Sequence, residues 1–212
     1  MRSKMMRRAA LAAVAAFAVS GCATISKEEC RAMDWRTVGY EDGATGQGVG
    51  RLSSRRQACA KHGVTPDLDA YRLGREEGLR EFCRPANGFR VGASGHGYGG
   101  VCPEHLAAAF ADSYESGRRL WQLERRVDDT INGIIARRNE IERIDEVLVS
   151  SSLVIVGEGT TAEERAQALL NTRNLAERRK RLLDEIDGME RALPAYEFEL
   201  ADYRAQLGNR AY

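Results

Sequence analysis

The stretch Arg181–Leu207, RLLDEIDGMERALPAYEFELADYRAQL, carries the clearest periodicity in the chain. Leu182, Ile186, Met189, Leu193, Tyr196, Leu200, Tyr203 and Leu207 follow alternating steps of four and three. That spacing is an a/d heptad seam, an apolar stripe on one side of an α-helix. Thr161 and Glu164 have capping-box spacing and should open this helix, and Pro194 inside it should kink or loosen it. Upstream, Leu120, Leu123, Val127, Ile131, Ile134, Ile141, Ile144 and Leu148 form a similar stripe. Two amphipathic helices joined by roughly a dozen residues predict an antiparallel, coiled-coil-like hairpin, each seam covering the other. The connection holds Leu153-Val154-Ile155-Val156 between three serines and Gly157 and Gly159. These apolar residues either dock something at the hairpin tip or fold back onto the protein.

Before Leu120 the chain changes character. Residues 22–119 are Gly-punctuated and turn-rich, whereas residues 120–212 are charged and Gly-poor. The fold class expected is mainly α, a small disulfide-stapled helical domain (22–119) followed by the hairpin (120–212). Ser26 and Glu29 predict a helix opening at Lys27 and lasting into the Gly43–Gly50 region. A second helix covers about Arg51–Lys61, closed by Gly63. A third opens at Thr65-Pro66-Asp67 and reaches about Cys83, and a fourth opens at Cys102-Pro103-Glu104. Between them, Pro85–Gly100 holds six glycines and is expected to be loop or very short strands. An aromatic followed by spaced glycines recurs: Trp35, Gly39, Gly43; Tyr71, Gly74, Gly78; Tyr114, Gly117. Each mid-helix Gly costs about 0.8–1 kcal/mol against Ala, so close helix–helix contact is the expected reason for them.

The amino terminus has Arg2, Lys4, Arg7 and Arg8, then an apolar run from Ala9 to Val19, then Ser20-Gly21-Cys22. This order reads as a lipoprotein signal peptide (1–21) with Cys22 as the lipidated residue. The run of 11 residues is too short to span a bilayer, which needs roughly 20. Ala23, rather than Asp, points to the outer membrane, facing the periplasm. Cleavage removes four basic residues and no acidic one, turning the formal net charge of +1 into −3. No basic surplus for nucleic acid is left.

Cys30, Cys59, Cys83 and Cys102 remain after lipidation, an even number in an oxidising compartment, so two disulfides are expected. Three connectivities are open; Cys30–Cys59 with Cys83–Cys102 is preferred because each joins neighbouring elements. The alternative use of sulfur is a tetrahedral zinc set from Cys59, His62, Cys102 and His105, which would strand Cys30 and Cys83. Gly95–Gly100 satisfies G-x-G-x-x-G but lacks a preceding strand, and Pro103 interrupts the approach to the helix. A Cys/His nucleophile using His62, His96 or His105 would need a free thiolate. Glu76/Glu77 and Asp128/Asp129 occupy adjacent helical positions and point apart. No catalytic residue and no cofactor is assigned.

The order of residues in the first half resembles a family of bacterial lipoproteins known as domain of unknown function 2799. The likeness rests on Cys30, Asp34-Trp35, Gly39, Asp42-Gly43, Gly46, Cys59, Tyr71-x-x-Gly74-x-x-x-Gly78-Leu79, Cys83, Gly95, Gly97, Tyr98 and Val101-Cys102-Pro103. It covers about residues 22–120. The resemblance implies an envelope lipoprotein and supplies no activity, substrate or catalytic residue. The expected function is a non-enzymatic structural or interaction component, tethered to the membrane by lipid. Its partner would be an envelope protein, or a second copy engaged through the hairpin. The alternative is a small-molecule or glycan binding module using Trp35, Tyr71 and Tyr98 as its surface; an envelope hydrolase ranks last.

Overall fold

The structure, a computed structural model, describes residues 25–208, and every regular element among them is helical. The helices are α1 (Lys27–Ala32), α2 (Trp35–Ala44), α3 (Gly50–Ala60), α4 (Leu68–Phe82), α5 (Pro85–Ala93), α6 (Glu104–Val156) and α7 (Ala162–Gly208). Cys22 and the signal segment lie outside the described residues. The chain groups into two compact units, one running up to Cys83 with Gly99–Glu104, the other Arg84–Tyr98 with His105–Tyr212. Helix α6 continues without a break through the change of composition at 119/120.

In the first unit the Ser26/Glu29 capping box forms as expected: Ser26 N donates to Glu29 at 2.7 Å and Glu29 N to Ser26 Oγ at 3.2 Å. The helix it opens is shorter than the spacing predicts. Met33 leaves helical geometry, and Asp34 caps a new helix by accepting from Arg36 N at 3.0 Å. At α4 the cap is Asp67, which accepts from Asp69 N and Ala70 N; Thr65 lies outside. The disulfides are Cys30–Cys59 and Cys83–Cys102, the preferred pairing. Cys30 and Cys59 pack with Trp35 and Tyr71 in the buried core, with Ile25, Val38, Leu52 and Val64 around them.

Pro85–Gly100 corrects the loop expectation in part: Pro85–Ala93 is a helix with Pro in its first turn, while residues 94–100 are the expected loop. Several glycines in one short segment suggested irregular backbone. Gly88 and Gly92 instead fall on one side of the helix, where bare backbone is what the packing needs, and Gly95 continues the spacing just past its end.

In the second unit α6 and α7 form the antiparallel hairpin. Ile134, Ile141, Ile144, Leu182 and Ile186 make one buried cluster; Leu123, Val127 and Leu200 make another. The Thr161/Glu164 capping box opens α7, which continues as helix through Pro194. Ion pairs lace the two helices in reverse order, from Glu124–Arg204 at 2.7 Å through Arg138–Glu190 at 2.5 Å to Asp145–Arg179 at 2.7 Å. Two departures matter. Ile131, expected in the seam, is exposed although its spacing from Val127 and Ile134 fits the seam. The connection is also shorter than expected, since α6 extends to Val156 and only residues 157–161 are non-helical.

Candidate functional site

The glycines of the first half build one packing device twice. In the first instance α2 meets α4. A Cβ on Gly39 would lie 3.0 Å from Arg75 N, one on Gly43 2.9 Å from Leu79 N, and one on Gly78 2.6 Å from Ala44 N. The backbones touch with no side chain between them, the geometry that small-xxx-small spacing permits. In the second, α5 meets the start of α6: a Cβ on Gly92 would lie 2.7 Å from Arg118 N, and one on Gly117 2.7 Å from Ala93 N.

The registers correspond residue for residue. Gly39, Gly43 and Gly46 match Gly88, Gly92 and Gly95; Tyr71, Gly74, Gly78 and Phe82 match Phe110, Ser113, Gly117 and Trp121. Gly46 and Gly95 both end their helices at positive φ, +66° and +73°. A side chain on the first would strike the Phe82 ring, and on the second the Trp121 ring, with Cε2 at 2.6 Å. In each instance the next carbonyl is tied down from across the notch. Arg75 Nη2 donates to Gln47 O at 2.8 Å, and the Tyr114 hydroxyl donates to His96 O at 3.0 Å. The aromatic–glycine echo seen in the sequence is therefore real, but Phe110, not Tyr114, stands where Tyr71 does.

The two instances differ in their buried polar chemistry at one pair of positions. Asp42 and Tyr71 in the first correspond to Val91 and Phe110 in the second. Asp42 is buried, accepting from the Tyr71 hydroxyl at 3.0 Å and paired with Arg55, with Arg51 at 3.7 Å. Burial, followed by the charge of Asp42, raises the Tyr71 phenol above its ordinary range. Every member of this cluster has a partner inside the fold, which is the behaviour of a structural network.

The expected site residues fall as follows. Trp35 and Tyr71 are core, with no exposed face for a ligand, which overturns a binding surface built from those rings. Tyr98 belongs to the other unit and packs on Phe110 at 4.6 Å and Tyr114 at 5.7 Å. The zinc alternative fails on sulfur chemistry: Cys59 and Cys102 are oxidised in separate disulfides and cannot offer thiolates. His62 Nε2 lies 3.1 Å from Ile25 O. Among the described residues no group of His, Cys, Asp and Glu is arranged to hold a metal ion, and no helix is long and apolar enough to cross a membrane.

Exposed apolar surface concentrates at the hairpin tip. Leu153 is 67 % exposed and Val156 77 %, with Val149, Leu169 and Leu170 also open to solvent. They do not fold back onto the hairpin. Residues 147–157 and 166–172 contain no charged side chain, in contrast to the ion-paired stem. Sequence reasoning located the tip but expected a loop there.

The fold defines an all-helical protein with two glycine-notched helix pairs, two disulfides and a long helical hairpin. Residues 34–119 match the family described as Protein of unknown function (DUF2799), so the likeness read from the cysteines, aromatics and glycines holds for that segment. The matched residues span both notches and end inside α6. No curated protein and no solved structure matches the chain.

Proposed function

We propose that this protein is a lipid-anchored component of the bacterial outer membrane, facing the periplasm, which makes protein contacts through its helical hairpin and carries out no catalysis. The observation that carries the interaction role is the exposed apolar surface near the hairpin tip, on segments 147–157 and 166–172 that carry no charge, above an ion-paired stem. A contiguous apolar surface kept in water by a stably folded hairpin is the usual mark of a docking site. The anchor is supported by the basic start, short apolar run and Ser20-Gly21-Cys22 order. Acyl chains contribute about 0.8 kcal/mol per buried methylene, so several of them hold a protein on a bilayer durably.

The anchor is tested by labelling cells with radioactive palmitate and fractionating the membranes. The parent chain takes up label and floats with the outer membrane, and Cys22→Ala loses both properties. An unlabelled, soluble parent ends this reading. The interaction role is tested by photo-crosslinking from Leu153 in cells, where discrete crosslinked species are expected and their absence counts against it.

A further inference from the structure

Five of the seven exposed apolar residues of α6 share one side of the helix, while Val147 and Val154 point elsewhere. On α6, Ile131, Ile135, Val149, Leu153 and Val156 fall within an arc of about 60° at 100° per residue. On α7, Leu169 and Leu183 are two heptads apart and share a direction. Ile135 and Val149 each follow a seam residue by one position, as Leu169 follows buried Ala168 and Leu183 follows buried Leu182. In antiparallel helices the same sense of rotation leads to the same side of the hairpin. The ion pairs agree: Asp145–Arg179 and Glu124–Arg204, displaced from the seam in that sense, bridge one side. Glu140–Arg178 and Arg137–Glu185, displaced the other way, bridge the opposite side.

We infer that a second copy of this chain docks antiparallel on that side, turning two hairpins into a four-helix bundle. The pattern is self-complementary about Glu142. Ile135 and Val149 lie seven residues to either side of it, and Ile131 and Leu153 eleven. A two-fold axis at Glu142 therefore sets the stem patch of one copy on the tip patch of the other, the isologous arrangement of cyclic dimers. Arg138, already paired with Glu190 in its own hairpin, and Glu146, four residues to either side, then face each other as opposite charges across the interface. The exposed area of the stripe is on the order of 600 Å² per copy, close to the ~800 Å² per partner of a standard interface. A bilayer fits less well: the tip lacks aromatic anchors, and acidic Glu146, Glu158, Glu163 and Glu164 surround it. This inference rests on the hairpin being the contact arm proposed above, but not on the lipid anchor.

The test uses the full chain in detergent, by sedimentation, with cysteine crosslinking in cells. A dimer is expected. Ile135→Glu weakens it about a hundredfold or more, because each interface loses the side chain twice. Glu142→Gln tightens it by removing like charges at the axis. Glu142→Cys crosslinks to its own counterpart; Val149→Cys does so only when Ile135→Cys is also present. All five substitutions lie on exposed positions, and unchanged circular dichroism confirms the fold. A chain monomeric at every concentration overturns the inference, as does a dimer indifferent to Ile135→Glu. So does self-crosslinking of Val149→Cys alone, which would mean parallel pairing, or vesicle binding by a monomer. A monomer that still labels with palmitate leaves the anchor standing.

Discussion

Gly78→Ala is the sharpest test of the notch. On an exposed helix, replacing Gly by Ala gains about 1 kcal/mol. At position 78 the new methyl carbon would lie 2.6 Å from Ala44 N and 3.0 Å from Gly43 C, and closer still to Tyr40 O. All three are backbone atoms, so no side-chain rotation relieves the clash, and α2 and α4 must separate by roughly 1 Å. Overpacking of that kind costs about 1–3 kcal/mol, and the Tyr71–Asp42 contact is strained as the helices part. Against the propensity gain, a net loss of about 1 kcal/mol is expected. Gly188→Ala is the internal control: it is also mid-helix, and its added carbon meets nothing within 4 Å. It should gain about 0.5–1 kcal/mol. Urea denaturation followed by circular dichroism at 222 nm reads both. If Gly78→Ala matched Gly188→Ala in sign, the notch would not be a backbone contact and the reasoning would be wrong.

Three further outcomes are expected. Cys30→Ser with Cys59→Ser, which opens a loop of sequence separation 29, lowers stability by about 3–4 kcal/mol in the loop-entropy picture, read as a shift of the urea midpoint. Asp42→Ala strands Arg55 and the Tyr71 hydroxyl in a buried setting and costs about 3 kcal/mol, read in the same way; Val91→Ala, at the matching position of the second notch, strands no charge and costs less. In an alkaline titration followed at 295 nm, Tyr71 ionises above the ordinary tyrosine range near pH 10. Its folded-state pKa is raised, so its contribution to stability is intact below about pH 10 and is lost as pH climbs through the folded value. Tyr71→Phe should remove that late-titrating phenol.

Much of the architecture is legible because it is written in side-chain chemistry. The Leu182–Leu207 heptads, the Ser26 and Thr161 capping boxes and the neighbour pairing of the cysteines all reappear in the structure. The close helix–helix contact expected of Gly39, Gly43, Gly74, Gly78 and Gly117 is present as well; what escaped was the helix at Pro85–Ala93. Gly88, Gly92 and Gly95 weaken a helix taken alone, and only packing against Phe110–Arg118 makes that segment helical. The signal that could have found it was the spacing shared with Gly39, Gly43 and Gly46. Trp35 and Tyr71 misled in the other direction, since large aromatics beside glycines suggest a ligand platform as readily as a core. The break at Met33 was missed although Asp34, a good N-cap, stands there.

Helix α6 carries Gly117, whose backbone abuts Phe89 and Ala93, and thirty-six residues later, at Leu153, it still runs as the same helix. At 1.5 Å per residue that is a lever about 55 Å long with no joint along it. A load on the far end is therefore carried by one continuous helix, shared with α7 along the stem, toward the place where two polypeptide backbones touch directly.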